Sequence, residues 1–148
     1  MNDQNREEQK KDAQNKYDQL QELAKSTFWG YLGCELVEAT EQSVIISLEL
    51  ADHHKNLIGI VHGGVMMSML DNAMGLIIML GTGENTVTAT MNTHFLSNVA
   101  SGKIFCKAEL LHCTKRTNTM TASLYDEHDE LLAWASGAYR GGSSKSRL

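Results

Sequence analysis

The sequence predicts an α+β domain in which an antiparallel sheet curls over one long buried helix. An apolar run of good helix formers occupies residues 65–80, and segments with the chemistry of β-strands lie on both sides of it. The chain has 148 residues, which suits one domain with a single core. No repeat and no second domain are indicated.

Residues 1–27 form a polar N-terminal segment rich in Gln, Asn, Glu and Lys. A tail that enters a short helix is predicted here by side chains at spacings of three and four, namely Tyr17, Leu20, Leu23 and Ala24. The main domain is expected to span residues 28–142, and residues 143–148 to form a disordered C-terminal tail. The first residues lack the apolar stretch of a signal peptide, so a cytoplasmic protein is predicted.

Between Glu35 and Leu50 the pattern has period two, which predicts a half-buried hairpin with its turn at residues 41–43. Its buried face is expected to carry Val44, Ile46, Leu48 and Leu50. The helical run at 65–80 is too short for a membrane span, which needs about 20 apolar residues, and it carries Asp and Asn at its centre. A core helix buried nearly all round is therefore predicted, with no membrane association.

Four strands are predicted after the helix, at residues 86–96, 103–113, 117–125 and 131–139. The segment Asp126–Asp129 has the residue types of a hairpin turn between the last two of these strands. Consecutive strands joined by short turns favour an antiparallel sheet.

The net charge of −5 argues against a general nucleic-acid binder, which needs a surplus of Lys and Arg on its binding face. The first 27 residues are also too short for a DNA-binding domain. The three cysteines include no CxxC pair, so neither a disulfide framework nor a zinc site is indicated. The adjacent His53 and His54 would point to opposite faces of an extended segment, which disfavours a metal site with His62. No metal and no cofactor are predicted.

Asp71 is the only side chain with a full formal charge between Ile58 and Gly81, and it lies on the predicted core helix. Burying an unpaired carboxylate is unfavourable, so the residue calls for an explanation. Asp71 is either a structural carboxylate, satisfied by backbone N–H groups or a basic neighbour, or a functional group.

The glycine pair Gly63-Gly64 stands where the helix should begin, and it permits close backbone approach. Free N–H groups at a helix start attract an oxyanion. Gly63 precedes Asp71 by eight residues, or roughly 12 Å of helical rise, so one chain cannot easily bring both to one reacting atom. A twofold dimer with side-by-side helices would unite them in two identical sites.

The run Asn56-x-x-Gly59-x-x-His62-Gly63-Gly64, followed by Asp71 nine residues after His62, resembles the signature of hotdog-fold acyl-CoA thioesterases of the PaaI-like, phenylacetate-pathway branch. The segment from Thr88 to Ser97 is similar to the strand that follows in that family, and the likeness covers about residues 30–140. The resemblance implies a hotdog fold, with a sheet wrapped around a central helix and active sites shared across a dimer interface.

The resemblance also implies roles for individual residues. Asp71 would activate water or attack the thioester carbonyl itself, and both options stay open. The Gly63 N–H of the opposite chain would stabilise the oxyanion. Asn56 would position water or the carbonyl, His62 would orient the loop, and Thr88 would place a hydroxyl near Asp71. The substrate would be an aryl- or fatty-acyl-CoA, and the assembly a homodimer or a homotetramer built as a dimer of dimers.

Substrate contacts are expected from Gly64 and Met67 at the start of the helix, since methionine side chains line adaptable pockets, although the helix methionines equally fit a plain core. Lys115 and Arg116 belong to a locally basic segment that would contact the CoA phosphates or simply form a solvated strand face. Two other functions are weighed: a non-catalytic acyl-CoA-binding hotdog module and a hotdog dehydratase. A cysteine nucleophile is disfavoured because no base is placed beside Cys106 or Cys113.

Overall fold

The computed structural model describes residues 3–141, so the predicted tail at 143–148 lies outside the described residues. The helices are α1 (Asp3–Ala24), α2 (Phe28–Leu32) and α3 (Gly63–Thr82), and a single 3-10 turn covers Asp52–His54. The strands are β1 (Glu35–Ala39), β2 (Ser43–Glu49), β3 (Thr86–Phe95), β4 (Lys103–Cys113), β5 (Asn118–Asp126) and β6 (Leu131–Gly141).

The strands form one six-stranded antiparallel sheet in the order β1-β2-β4-β5-β6-β3. Helix α3 packs across the concave face of this sheet and touches every strand from β2 to β6. The predicted α+β architecture, a sheet wrapped around one long central helix, is confirmed. The predicted turn is also present, since the Asp126 carboxylate accepts the N–H groups of His128 and Glu130.

Alternation along each strand determines which side chains face the helix. In β2 the inward residues Val44, Ile46 and Leu48 are almost fully buried, as predicted, whereas Leu50 follows the strand and is only partly buried. Three adjacent strands contribute a register-matched row of buried alanines, Ala108, Ala122 and Ala135. Small side chains in this row allow α3 to lie close to the sheet without leaving voids.

Gly137 continues this close approach on β6. A Cβ atom at this position would lie 2.7 Å from the Tyr139 ring and 3.3 Å from Met74 on α3. Glycine is therefore required where the helix crosses β6, immediately beside the Tyr139 side chain. The close packing fixes the distance between α3 and the end of β6.

The expectation that α3 is buried nearly all round is wrong for the single chain. Nine of its residues are buried against the sheet, from Val65 to Ile78. A second row is less buried because one sheet covers only one side of a helix, and it comprises Gly64, Met67, Ser68, Asp71, Asn72, Gly75 and Met79. By length and composition alone α3 could span a membrane, but its apolar face is occupied by the sheet.

The helix predicted near residue 20 is present but longer than expected, because α1 spans 22 residues from Asp3 to Ala24. Its Gln, Glu, Lys and Ala residues are good helix formers, so propensity extends the helix where the polar composition indicated a tail. Near its end the Tyr17 hydroxyl donates to the Ala39 carbonyl at 3.2 Å. Leu20 and Trp29, the latter on α2, pack against the core.

His54 is buried and holds two distant segments together. Its Nδ1 accepts the Ala51 N–H at 2.9 Å, which makes Nε2 the protonated nitrogen that donates to the Leu32 carbonyl at 2.7 Å. The His54 carbonyl in turn accepts the N–H of His62, the residue that precedes α3. The neutral imidazole thus anchors the loop that leads to the long helix.

Burial lowers the pKa of His54, with a smaller contribution from the neighbouring His53. In the unfolded chain the histidine pKa is about 6.5, so His54 binds a proton more readily there than in the folded chain. We expect the free energy of unfolding to fall as the pH drops from 7 toward 5. Denaturant titrations at several pH values should show that His54→Asn is less stable at neutral pH but has a shallower pH dependence. Parallel curves for the two proteins would contradict this assignment.

Candidate active site

The start of α3 is capped by His62, whose Nδ1 accepts the Gly64 N–H at 2.8 Å. The His62 carbonyl accepts the N–H groups of Val65 and Met66. The Gly63 N–H, in contrast, donates to no acceptor in the part of the chain that the structure describes. One helix-start donor is therefore left for a ligand, and it is the Gly63 N–H that the sequence singled out.

The loop before the helix is folded around Asn56. The Asn56 Oδ1 accepts the Ile58 N–H at 3.1 Å and the Ile60 N–H at 3.3 Å, while the Asn56 N–H donates to the Ile60 carbonyl. Gly59 has a φ of 84°, a conformation that favours glycine. Asn56 thus shapes the loop through its side-chain oxygen. Its side-chain nitrogen, Nδ2, donates to no acceptor among residues 3–141.

Asp71 lies two turns into α3 and is only partly buried. Its Oδ1 accepts a hydrogen bond from Thr88 Oγ1 at 2.7 Å and another from the Tyr139 hydroxyl at 2.8 Å. Thr88 and Tyr139 are paired across β3 and β6, so their side chains share one face of the sheet. Among residues 3–141, neither a backbone N–H nor a basic side chain donates to the Asp71 carboxylate; two neutral hydroxyls do so.

The Thr88 contact is one that the resemblance implies, whereas Tyr139 was missed by the sequence analysis. A signal for it exists in β6, whose inward residues before Tyr139 are the small Ala133, Ala135 and Gly137. One large hydroxyl-bearing side chain at the end of such a row needs a polar partner inside the core. Asp71 is the carboxylate available to it.

Burial raises the pKa of Tyr139 well above its usual range, and the Asp71 charge and hydrogen bond raise it further. The tyrosine hydroxyl is therefore a donor at every physiological pH. Because Oδ1 receives both hydroxyls, the orientation of the carboxylate is fixed. Oδ2 accepts no hydrogen bond from the described residues and is available to water or substrate.

A pocket of about 430 Å³ opens beside Asp71. Helix α3 forms one wall with Asp71, Asn72, Gly75, Leu76 and Met79. The sheet contributes Thr86, Thr88 and Tyr139. The third wall comes from the N-terminal segment, through Leu20, Gln21, Leu23, Ala24, Thr27 and Trp29. Apart from Asp71, no charged side chain of the described residues lines this pocket.

The other predicted residues do not line this pocket. Asn56, His62, Gly63 and Gly64 cluster at the start of α3, whereas Asp71 lies further along the same helix. Met67 is 39% exposed and belongs to the less buried row of α3 described above. The structure of one chain therefore separates the helix-start donor from the carboxylate.

Lys115 and Arg116 are exposed in the turn between β4 and β5. They do not reach the pocket, but the turn lies at the end of the sheet where Asn118 pairs with Tyr139. The basic pair is thus placed at the same end of the sheet as Asp71.

An exposed apolar patch surrounds the start of α3. Its members are Leu57, Ile58, Phe95 and Leu96, each more than half exposed, and the Phe95 ring lies against Gly63. Phe95 ends β3, which is an edge strand with one side unpaired among the described strands. Exposed apolar residues beside an open strand edge are typical of an interaction surface.

Burial also decides the state of the inner cysteines. It raises the pKa of Cys34 to about 12, against a smaller opposing effect of Asn72, and it raises the pKa of Cys106 even further. These thiols stay protonated and are poor nucleophiles. Across residues 3–141, no group of three or more His, Cys, Asp or Glu side chains could hold a metal ion.

A sequence model of the thioesterase superfamily matches residues 58–133, just over half of the chain. A 1,4-dihydroxy-2-naphthoyl-CoA hydrolase from Listeria monocytogenes is 24% identical over 103 residues, which cover 68% of this chain and 84% of the hydrolase.

Among solved structures, a thioesterase from Haemophilus influenzae superposes with a TM-score of 0.80 at 19% identity, covering 86% of this chain and 90% of its own. The phenylacetic acid degradation protein PaaI of Thermus thermophilus superposes with a TM-score of 0.71 at 20% identity, covering 76% and 96% respectively. These two likenesses establish the hotdog fold that the sequence predicted.

The Asp71–Tyr139 contact can be tested by tyrosine absorbance during an alkaline titration. An ordinary tyrosine has a pKa of about 10, and burial and Asp71 raise that of Tyr139, so Tyr139 should not ionise below about pH 11. Tyr139→Phe should therefore leave the titration amplitude in that range unchanged. Asp71→Asn, which removes the charge, should bring the pKa of Tyr139 down. A loss of amplitude in Tyr139→Phe would contradict the buried contact.

Proposed function

The chain belongs to the thioesterase superfamily and is a thioester hydrolase, and from this premise we propose that its substrate is an acyl-CoA, which it hydrolyses to the free acid and CoA. The observation that carries the proposal is the Asp71 carboxylate. Its Oδ1 is held by two hydroxyl donors, and within residues 3–141 its Oδ2 accepts no hydrogen bond and Asp71 is the one charged group that lines the pocket.

Asp71 has two routes to the thioester carbonyl. As a general base it takes a proton from water, and the water oxygen bonds to the carbonyl carbon. The C–S bond then breaks to release the CoA thiolate, which takes up that proton from Asp71. As a nucleophile Oδ2 itself bonds to that carbon, the C–S bond breaks to release the CoA thiolate, and a mixed anhydride results; water then cleaves the anhydride to the free acid and regenerates the Asp71 carboxylate, and the proton from water goes to the thiolate. In either route Thr88 and Tyr139 act as positioning residues, because they orient the carboxylate and do not reach its free oxygen.

The oxyanion donor in this proposal is the Gly63 N–H of a second chain. The donor is unspent in one chain, and the positive end of the α3 dipole adds to its effect. Within one chain Gly63 and Asp71 are separated by roughly 12 Å of helical rise, so the two groups act on one carbonyl only if they come from different chains. His62 and Asn56 would keep the donor loop in place.

The exposed apolar patch supports such a dimer. Phe95 lies against Gly63, Leu57 and Ile58 are exposed in the loop that leads to α3, and strand β3 has one side unpaired among the described strands. A twofold contact made by this patch and edge would bury apolar surface and bring each Gly63 toward the partner. The proposed assembly therefore contains two identical sites, each built from both chains.

Lys115 and Arg116 are the proposed contacts for the CoA phosphates. Both are exposed, and their turn lies at the sheet end that carries Tyr139. An arginine pairs with phosphate through two parallel N–H donors, so Arg116 is the stronger contact of the two.

Thiol release from a panel of aromatic and aliphatic acyl-CoAs tests the carboxylate. Asp71→Asn keeps the size of the side chain but removes the base and the nucleophile, so turnover should fall by at least about 100-fold. The Leu111→Ala variant changes an exposed residue on β4 and serves as the control. Turnover that survives in Asp71→Asn would refute the proposed chemistry, and binding without turnover by the wild type would favour a non-catalytic module.

The oxyanion donor can be removed with little change to the backbone. Proline is tolerated at the first position of a helix, and His62, with φ −69° and ψ 134°, already has the conformation that precedes proline. Gly63→Pro should lose about 10²- to 10³-fold in turnover. Gly63→Ala is the matched control, because it keeps the N–H while placing a Cβ at the same 3.3 Å contact with Phe95.

Mixing Gly63→Pro chains with Asp71→Asn chains tests whether the site is shared. A dimer of one chain of each kind has one intact site if the two groups come from different chains. Refolded mixtures should then recover roughly a quarter of the wild-type turnover, since about half of randomly formed dimers carry one intact site. A mixture as inactive as its parents would show that each site uses a single chain.

A further inference from the structure

The pocket beside Asp71 continues along α3 as a groove. Asp71, Gly75 and Met79 lie four residues apart on one line of the helix, and all three line the pocket. Eight residues of helical rise give this line a length of roughly 12 Å. A thioester carbonyl at Asp71 would direct its acyl group along the line toward Met79.

Gly75 forms the floor of the groove, and the surrounding structure does not require glycine there. A Cβ at this position would meet only Thr86 at 3.8 Å and the Tyr139 ring at 4.0 Å, both ordinary van der Waals contacts. Glycine inside a helix is less favourable than alanine, because it loses more backbone freedom on folding. The absent side chain therefore leaves space in the groove at the expense of helix stability.

The roof of the groove is formed by the end of α1 and by α2. Leu20 and Trp29 are partly buried against the core and line the pocket opposite α3. The corner between the two helices is tightly built, because a Cβ on Gly30 would clash with the Lys25 carbonyl oxygen. The Thr27 hydroxyl donates to the Ala24 carbonyl at 2.7 Å in the same corner. Such packing gives Trp29 a fixed place over the groove.

The described part of the chain places no positive charge in the groove to receive a second anion. Its polar lining there consists of neutral side chains such as Gln21 and Asn72, together with the Asp71 carboxylate. An acyl group that ends in a carboxylate would place that charge, unpaired, further along the groove toward Met79, which is unfavourable in a partly desolvated site.

From this geometry we infer that Gly75, under a roof of Leu20 and Trp29, is the specificity-determining residue of the site and selects uncharged, extended acyl groups. The inference rests on the proposed acyl-CoA hydrolysis and adds the substrate class. The N-terminal segment is then part of the substrate site of its own chain. The groove binds the acyl chain, and the Gly63 N–H at the start of the second chain's α3 stabilises the oxyanion.

Kinetics of the full-length Gly75→Ala variant test the inference. A methyl group on the groove floor should lower kcat/KM for octanoyl-CoA by at least about tenfold and leave kcat/KM for acetyl-CoA within about twofold. The melting temperature should stay the same or rise, because alanine favours the helix. Leu111→Ala on the outer surface should alter neither substrate. A uniform loss for both substrates, or no loss for either, would overturn the inference.

The charge selection has its own comparison. The wild type should hydrolyse hexanoyl-CoA at least about 100-fold better, in kcat/KM, than adipoyl-CoA, which has the same number of acyl carbons but ends in a carboxylate. Comparable values for the two substrates would overturn the selection for uncharged groups.

A binding measurement separates this inference from the proposed hydrolysis. The chain has two tryptophans, so Trp134→Phe leaves Trp29 as the only fluorescent indole. In a variant that also carries Asp71→Asn, octanoyl-CoA should shift the Trp29 emission, whereas CoA alone should not. If the wild type shows no turnover but the double variant shows this shift, the proposed hydrolysis is refuted and acyl binding in the groove is supported. Bound octanoyl-CoA without a shift would overturn the groove, whatever the turnover.

Discussion

The hydrogen-bonded triad of Asp71, Thr88 and Tyr139 is the interaction on which the site depends. A carboxylate on a helix packed against a sheet must be satisfied, and in this chain two hydroxyls from adjacent strands do so at 2.7 and 2.8 Å. The same contacts tie α3 to β3 and β6. Both donors are neutral hydroxyls, and no cationic side chain among residues 3–141 pairs with Asp71 to weaken it as a base or nucleophile. One set of bonds therefore serves both packing and chemistry.

Close packing makes the triad possible. The alanine row Ala108, Ala122 and Ala135 lets α3 approach the sheet, and Gly137 leaves no space for a side chain beside the Tyr139 ring. A larger residue in this region would push the helix away and lengthen the bonds to Asp71. The geometry of the carboxylate is thus set by small residues that do not touch it.

The start and the middle of α3 contribute different chemistry. The start presents an unspent N–H at Gly63 beside an exposed apolar patch, and the middle presents Asp71 beside an uncharged groove. Helical rise separates the two groups, which is why the proposed site takes one from each chain. The N-terminal segment covers the groove, so substrate selection and catalysis use different parts of the fold.

Local patterns in the sequence determined the order of the elements, the hairpin at β1 and β2, the Asp126 turn, and Asp71 and Gly63 as the residues of interest. Periodicity and turn chemistry act over a few residues, so they can be recognised without a fold. Tertiary structure alone decided that Tyr139, 68 residues after Asp71, donates to its carboxylate, and that Leu20 and Trp29 roof the groove. Strand register and the path of α1 bring these groups together, and neither leaves a periodic trace in the sequence. The length of α1 was misjudged for a related reason, since a polar helix held by one tyrosine and its last turn lacks the apolar stripe that identifies a packed helix.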